Sequence, residues 1–250
     1  MKLKIIALFL FCYLFSNSQN SNLTWKISPD ESITWEVQPS KAHSDQIEMS
    51  GFHISAIVTY GVDETGKLVN RKKLVFPMLR TIPNDTHASL TKIFEGSEQP
   101  GFIVDGTLAE EFPQSFNLKG ILSVKSSTNT GLVVSRSIFP SVDKAALIEI
   151  ITLQNPSAKA LNVKIQFTPT SITTPAEKGV YGEYFVDVNA KQPGEFTLGS
   201  GEEITFGLIY SGRKATDQPY NFSPVYELSK RSKFVDEIFE SLVLVTPNDT

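Results

Sequence analysis

The sequence predicts a mainly β protein in which a large antiparallel sandwich of two sheets is followed by a helix. Three observations predict this fold. Four strand-like runs follow one another between Gly120 and Phe167, with short polar turns and no helical segment between them. The last of these runs alternates strictly between apolar and polar residues, as a half-buried strand does. After Ser223, by contrast, the apolar residues follow the spacing of an amphipathic helix.

The four central runs predict consecutive antiparallel strands. Their ranges are Ile121–Lys125, Leu132–Phe139, Ala146–Leu153 and Leu161–Phe167. The third run is almost continuously apolar, and the fourth follows it after the turn-forming residues Asn155 and Pro156. Strands that are joined by such short turns, with no crossover helix, pair antiparallel.

Strands are also predicted on both sides of this block. Their ranges are Ile33–Val37, Ile47–Gly61, Leu68–Leu79, Leu90–Phe94, Phe102–Val104, Gly182–Asn189 and Ile204–Tyr210. A turn that contains Gly66 predicts a hairpin between the second and third of these, and Arg80–Ser89 is predicted to be a loop. The total of roughly a dozen strands exceeds that of a small immunoglobulin-like sandwich, which favours one large two-sheet sandwich.

A helix is predicted from Pro224 to Val245. Ser223 provides a capping hydroxyl, and a proline suits the first helical position. An apolar stripe then runs along one side of the helix and consists of Val235, Ile238, Phe239 and Leu242. The apolar run continues through Leu242–Val245 before Pro247 ends it.

The first 18 residues have the features of a secretory signal peptide. Lys2 and Lys4 give a positive start to an apolar core at Ile5–Phe15. Ser16-Asn17-Ser18 then provides small residues around a cleavage point. A membrane anchor is the alternative, but this apolar run is shorter than the ~20 residues that a bilayer requires, and no later segment could span one. We therefore expect residues 1–18 to be a signal peptide and the protein to be secreted or periplasmic.

Charge and cysteine content exclude several classes of site. With 23 basic and 27 acidic residues and a net charge of −4, the chain has no basic stripe that would bind nucleic acid. The only basic cluster, Arg71-Lys72-Lys73, flanks a predicted hairpin turn and is interpreted as a solvated face. The single cysteine, Cys12, lies in the signal segment, so we expect no disulfide and no zinc–thiolate site in the mature protein.

Histidines and polar loops provide few candidates for a site. None of the three histidines, His43, His53 and His87, stands at a metal-binding spacing from another histidine or from a cysteine. His53 is interpreted as a residue on the face of a strand. His43-Ser44-Asp45 and Asn84-Asp85-Thr86-His87 are predicted loop clusters, for which capping and turn bonding are the alternative to a functional role.

Two pairs of adjacent carboxylates invite comparison with the acid and base of a glycosidase. They are Glu110-Glu111 and Glu202-Glu203. Neighbouring residues of an extended chain point to opposite sides, so neither pair can flank one glycosidic bond, and both are interpreted as solvated turns. The sequence thus predicts no catalytic residue, no bound metal and no cofactor.

Three segments of the chain resemble a known family. They are HSDQIEMSGFHIS (His43–Ser55), FPMLRTIPNDTHASL (Phe76–Leu90) and SRSIFPSVDKAALIEIITLQN (Ser135–Asn155). They look like the N-terminal region of secreted bacterial glycoside hydrolases. Those enzymes join a galactose-mutarotase-like β-supersandwich, through a linker helix, to a six-hairpin (α/α) catalytic toroid.

The resemblance implies a large antiparallel two-sheet supersandwich at residues 19–222 and a C-terminal linker helix at residues 223–250. The toroid, which holds the catalytic acid and base in these enzymes, is missing. We therefore expect a truncated, inactive half of an enzyme of carbohydrate metabolism, with carbohydrate bound through the missing domain. Without that domain, part of the Leu242–Val245 run should be left in water.

The polar clusters indicate where a catalytic partner would sit. We expect one rim of the sandwich to form a substrate cleft or a domain interface with the side chains of His43, Asp45, Arg80 and His87.

Two alternatives stay open. A free-standing carbohydrate-binding or surface-interaction module would need an exposed aromatic platform, for which Trp25 and Trp35 are the only tryptophans. A mutarotase-type enzyme would need histidines and carboxylates that converge within the sandwich, and the small number of histidines disfavours it.

Overall fold

The computed structural model describes residues 24–38, 41–82, 87–191 and 194–241. Within these ranges the chain forms one nine-stranded sheet, two four-stranded sheets and a helix, α1, at Pro224–Ser241. Every strand pair described is antiparallel. The predicted fold class, mainly β with antiparallel sheets and a C-terminal helix, is confirmed.

Seventeen strands in the described ranges make up the three sheets. In chain order they are β1 (Lys26–Ile27), β2 (Ile33–Glu36), β3 (His43–Ser50), β4 (Ser55–Val62), β5 (Leu68–Thr81), β6 (Ala88–Phe94), β7 (Gly101–Val104), β8 (Thr107–Leu108), β9 (Glu111–Leu118), β10 (Leu122–Thr128), β11 (Val133–Pro140), β12 (Ala146–Gln154), β13 (Leu161–Gln166), β14 (Thr170–Thr174), β15 (Tyr184–Lys191), β16 (Glu195–Leu198) and β17 (Glu203–Lys214). The large sheet has the order β1-β2-β9-β10-β11-β12-β17-β15-β14. The small sheets have the orders β16-β13-β7-β8 and β3-β4-β5-β6.

All three sheets contribute to one hydrophobic core. Tyr60 of β4 packs on Phe116 of β9, in the large sheet, with ring centroids 5.4 Å apart. Phe94 of β6 packs on Tyr210 of β17 at 4.9 Å. Large aromatic side chains dominate the area that such a core buries. The large sheet is therefore one layer of a sandwich, and the two small sheets together form the other.

β12 is buried on both faces, which explains its continuous apolar run. Leu147 and Ile151 face the core between the layers. The alternate residues Ala146 and Ile148 belong to a second apolar cluster on the outer face, together with Phe222 from the segment before α1. A strand that is covered on both faces needs no polar positions, whereas β13, with one wet face, alternates.

The prediction of a single strand at Ile47–Gly61 is wrong, because a turn divides this segment into β3 and β4. The amide of Gly51 donates to the carbonyl of Ile54 at 2.9 Å, and the amide of Phe52 donates to the carbonyl of Val142 at 2.8 Å. The second bond comes from the distant β11–β12 turn, which local sequence patterns cannot indicate. His53 therefore lies in a turn and not on the face of a strand.

β13 confirms the alternation at Leu161–Phe167, but it does not pair with β12. It pairs with β16 and β7, so the chain crosses from the large sheet to a small one after β12. The buried side-chain amide of Asn155 holds this crossing, since it donates to the carbonyls of Lys159 and Leu198 at 2.8 and 2.9 Å. A turn-forming residue was expected here, and it also ties the two layers together.

Five of the observed strands, β1, β8, β9, β14 and β16, are absent from the sequence prediction. β9 contains Pro113, which argues against a strand within a sheet. In the structure Pro113 stands beside a register shift, where β9 has one residue more than its partner β10. Such a bulge accommodates the proline, which a periodicity argument does not anticipate.

Two charged side chains hold α1 on the sandwich. The Arg231 guanidinium donates to the carbonyl of Ser50 at 2.8 Å and to that of Gly120 at 3.1 and 3.0 Å. Glu227, which is also buried, accepts a 2.7 Å hydrogen bond from Ser141 Oγ. Burial lowers the pKa of Arg231 to about 10, so the guanidinium stays charged at neutral pH.

The apolar stripe predicted for α1 is only partly covered by the sandwich. Val235 is buried against Gly120, whereas Ile238 and Phe239 are 49% and 43% exposed. Leu242–Val245, the run that we expect to be partly left in water, lies outside the described residues.

We expect Gly51→Ala to lower the free energy of unfolding by about 1–3 kcal/mol, as overpacking does. A Cβ at this position would lie 2.0 Å from the main-chain oxygen of Ser141. Gly101→Ala is the matched control, because its Cβ would meet nothing nearer than 3.8 Å. Chemical denaturation of both variants measures the difference. Equal stabilities would contradict the packing of the β3–β4 turn on the β11–β12 turn.

Candidate functional site

The four residues that we expect on one rim lie at opposite ends of a small sheet. His43 and Asp45 belong to β3, at the end of the sheet where β5 begins. Arg80 is near the other end of β5, where its guanidinium donates to the carbonyl of His87 at 3.0 Å. At about 3.3 Å per residue, the two pairs are on the order of 30 Å apart. The prediction of a common rim is therefore wrong.

Each pair has a local environment of its own. The His43 ring packs edge-on against Trp35, with centroids 5.1 Å apart, and Asp45 is exposed. The first cluster is thus part of a strand, although the sequence predicts a loop. Asn84, from the second cluster, lies outside the described residues. A role of either pair at a substrate cleft or a domain interface stays a prediction.

Neither tryptophan forms an exposed platform. Trp35 is 3% exposed and stacks on Phe116 with ring centroids 4.7 Å apart. Trp25 packs edge-on against Trp35 at 5.5 Å and against Tyr60 at 5.7 Å. These rings fill one end of the core, so the feature on which a sugar-stacking module would depend is not provided by the tryptophans.

A buried network of charges lies between the layers, and sequence reasoning missed it. Glu149 of β12 is fully buried and accepts from Lys72 Nζ of β5 at 3.0 Å. Its other carboxylate oxygen accepts from the Arg136 guanidinium of β11 at 2.5 Å. Arg136 also makes a two-point contact with Glu111 of β9, in which Nε donates to Oε2 at 3.0 Å. Lys72, Arg136 and Glu149 are each less than about one tenth exposed. Charged side chains are almost never buried to this degree unless they are paired.

Neutral polar groups complete the network. Asn70 Oδ1 accepts from Lys72 Nζ at 3.0 Å. The Gln99 carboxamide accepts from Arg136 at 3.1 Å and donates to the Tyr210 hydroxyl at 2.7 Å. Each buried charge in the network therefore has several partners. A buried ion network is tolerated only when its charges are paired and hydrogen-bonded in this way.

The network shifts the pKa values of several of its members. Burial alone would raise the pKa of Glu149, but the Lys72 ammonium and the Arg136 guanidinium outweigh it and hold this pKa at about 2. Burial lowers the pKa of Lys72. Burial, with the adjacent Glu149 carboxylate, raises the pKa of Tyr210 well above its ordinary value. Glu149 is therefore ionised at neutral pH and unsuited to act there as a general acid or base.

The structure corrects two interpretations made from the sequence. Lys72 is 1% exposed, so the cluster Arg71-Lys72-Lys73 is not wholly a solvated face. Glu111 is bound to Arg136 and is not a solvated turn residue, although its neighbour Glu110 does point to a different partner, Lys67. The available signal was Glu149 itself, a single charge within the apolar run of β12.

A polar pocket of about 410 Å³ opens beside this network. Its inner part includes Arg136 together with Glu111, Gln99 and Asn70. Its rim carries two ion pairs, Lys67–Glu110 at 2.5 Å and Arg71–Glu95 at 3.3 Å. The pocket thus combines a buried, tightly bonded floor with an exposed, charged rim.

The described ranges provide neither a metal-binding cluster nor a membrane-spanning helix. No group of three or more His, Cys, Asp or Glu side chains there is arranged to hold a metal ion. Neither does any helix in those ranges have the length and apolar character needed to cross a bilayer.

Comparison with known proteins gives little further guidance. No family model matches the chain, and no curated protein matches it. Among solved structures the chain is similar to a protein from the human microbiome that is provisionally named a kojibiose phosphorylase, with 10% identity and a TM-score of 0.46. The match covers 87% of this chain, which spans only 39% of the length of the other. A likeness this distant carries no argument about fold or function.

Glu149→Gln should destabilise the protein by about 3–5 kcal/mol at neutral pH, because the change leaves buried cations without their carboxylate. Glu203→Gln, at the exposed start of β17, is the control and should change the free energy of unfolding by less than about 0.5 kcal/mol. Urea denaturation measures both. A loss as small as that of the control would show that the network contributes little.

The pKa of Glu149 also predicts a dependence of stability on pH. Its value of about 2 in the folded protein lies below the ordinary 4.5, so its contribution is complete above pH 4.5 and is lost as the pH falls toward 2. Unfolding measured across this interval should show the loss in the native protein and a flatter profile in Glu149→Gln. Parallel profiles for the two proteins would refute the assignment.

Proposed function

We propose that this chain is the non-catalytic N-terminal sandwich domain of a secreted glycoside hydrolase, in which α1 links the sandwich to a catalytic toroid. The observation that carries the proposal is the contact between α1 and the sandwich. One side of α1 is apolar and packs on the sandwich. This apolar side continues along the helix beyond the last residue that the sandwich buries.

Val235 is the last residue that the sandwich buries in the described part of α1. Ile238 and Phe239 follow it at the i+3 and i+4 positions, so they lie on the same side of the helix. Both side chains are nevertheless close to half exposed. Apolar residues that extend a buried contact into water favour a second body that completes the contact.

Phe52 enlarges this uncovered apolar surface. It is 67% exposed in the β3–β4 turn and packs edge-on against Phe234 of α1, with ring centroids 5.8 Å apart. We call Phe52, Phe234, Ile238 and Phe239 the overhang patch. Burying one such side chain is worth about 1.5–3 kcal/mol, so a partner domain that covers the patch would gain several times that amount.

The residues that hold α1 come from segments that carry the family resemblance. Arg231 donates to the carbonyl of Ser50, which belongs to the first of the three segments. Glu227 accepts from Ser141, which belongs to the third. The resemblance and the helix contact therefore support the same arrangement, in which the sandwich presents a linker helix to a second domain.

The two alternatives lack the features that they require. A free-standing sugar-stacking module is disfavoured because Trp35 is buried and Trp25 packs against it. A mutarotase-type enzyme is disfavoured because His43 and His87 stand at opposite ends of a sheet and do not converge. The proposal includes secretion because the sequence of residues 1–18 has the features of a signal peptide. These residues lie outside the described ranges.

The test of the proposal compares residues 19–250 with the longest reading frame that contains them. We expect the DNA after codon 250 to encode a helical domain, and the longer product to hydrolyse a member of a panel of aryl glycosides and oligosaccharides. Residues 19–250 alone should show no turnover above a heat-denatured control, because neither adjacent pair, Glu110-Glu111 or Glu202-Glu203, can flank one glycosidic bond. Turnover by the short chain, or a stop codon with no helical domain encoded nearby, would overturn the proposal.

Substitutions in the overhang patch test the role of α1. Ile238→Ser with Phe239→Ser should lower the melting temperature of the longer protein, since both side chains would lose a buried contact with the second domain. The same changes should leave residues 19–250 within about 0.5 kcal/mol of their original stability, because both positions are exposed there. Val225→Ser, at the other end of α1 and 69% exposed, is the control in both proteins. Equal effects in the short and long proteins would contradict a domain contact at the patch.

A further inference from the structure

We propose that the polar pocket between β5, β9 and β11 binds a neutral polyhydroxylated molecule of monosaccharide size. In the proposed function, contact with carbohydrate belongs to a second domain. The polar pocket would give the sandwich a binding site of its own, whether or not that second domain exists.

The floor of the polar pocket is held rigidly. Arg136 is 3% exposed, and its guanidinium is bound by Glu111, Glu149 and the carbonyl oxygen of Gln99. Side chains that are fixed by several hydrogen bonds lose little further freedom when a ligand arrives. A floor of this kind is preorganised in the way that small-molecule sites require.

The charges around the polar pocket nearly cancel. Its cations are Lys67, Arg71 and Arg136, and its carboxylates are Asp63, Glu95, Glu110 and Glu111. Lys67 pairs with Glu110, and Arg71 pairs with Glu95. Arg136 pairs with Glu111 and also with Glu149 beneath the floor. Asp63 accepts from the amides of Thr65 and Lys67. A strongly charged ligand would find no compensating excess of opposite charge. The lining therefore favours a neutral molecule.

The rim has the hydrogen-bonding character that hydroxyl groups need. Lys67 contacts one oxygen of Glu110, and Arg71 contacts one oxygen of Glu95, so the opening carries both donors and acceptors. A hydroxyl group both donates and accepts, so it can bridge a carboxylate oxygen and an ammonium or guanidinium group. Hydrogen bonds that involve a charged partner are stronger than neutral ones.

The volume and the apolar walls of the polar pocket also favour a molecule of monosaccharide size. A volume of about 410 Å³ lies near the lower limit for small-molecule sites, which is about 300 Å³. Leu68, Val69, Pro100 and Ala109 also line the polar pocket. They provide surfaces against which the C–H groups of a sugar ring can pack, while the hydroxyl groups face the charged rim.

Saturation-transfer NMR and calorimetry on residues 19–250 test the proposal with glucose, galactose, mannose and sorbitol as probes. We expect at least one of them to bind with a millimolar Kd. Glucuronate and glucosamine, which carry a charge, should bind at least about tenfold more weakly than the corresponding neutral sugar. Absence of binding by every neutral probe, or tighter binding of a charged one, would overturn the proposal.

A double variant locates the site. Lys67→Ala with Glu110→Ala should weaken binding at least about tenfold, because it removes one donor–acceptor pair from the rim. The control is Lys164→Ala with Glu195→Ala, an exposed pair at 2.6 Å that lines a different cleft, of about 430 Å³. Exposed pairs contribute little to stability, so both variants should fold. Unchanged binding in the first variant, or equal losses in both, would refute the assignment. Failure here leaves the turnover and reading-frame test of the proposed function untouched.

Discussion

The burial of Glu149 between the layers restricts how β12 can pair, and much of the fold depends on β12. Both faces of this strand meet apolar clusters, so hydrophobicity alone does not distinguish them. Glu149 does, because Lys72 and Arg136 lie on one side only. A slip of one residue would turn the carboxylate into the outer apolar cluster, away from its partners, at a cost of several kcal/mol. We infer that the network contributes more to the register of β12 than to net stability, since desolvation offsets much of the pairing energy.

The register of β12 in turn determines where α1 can bind. Ile148 and Ile150 face outward and form the apolar cluster that Phe222 covers just before the helix begins. The turn that leads into β12 provides Ser141 and Lys144, which bind Glu227. The buried charge network lies on the inner face of β12, and the contact with α1 lies on its outer face. A change at the Glu149 carboxylate would therefore also displace the surface that holds α1.

Sequence reasoning succeeded where a strand or helix carries its own periodicity, as at β13 and α1. It failed where strand pairing between residues that are far apart in the sequence decides whether a side chain faces the core or the solvent. Lys72, between two other cations, has the appearance of a solvated residue until β5 is known to face the core at that position. The separation of His43 from Arg80 likewise follows from the register of β3, β4 and β5. Only Glu149, one charge within an apolar run, gave a local sign of the buried network.

The same network that fixes the fold also limits the chemistry that can occur beside the polar pocket. Glu149 has a pKa of about 2, and Arg136 is held by two carboxylates, so neither side chain can exchange a proton near neutral pH. Groups so constrained can orient a ligand by hydrogen bonding, but they cannot activate a water molecule or a leaving group. The floor of the polar pocket is therefore suited to recognition by hydrogen bonding rather than to proton transfer.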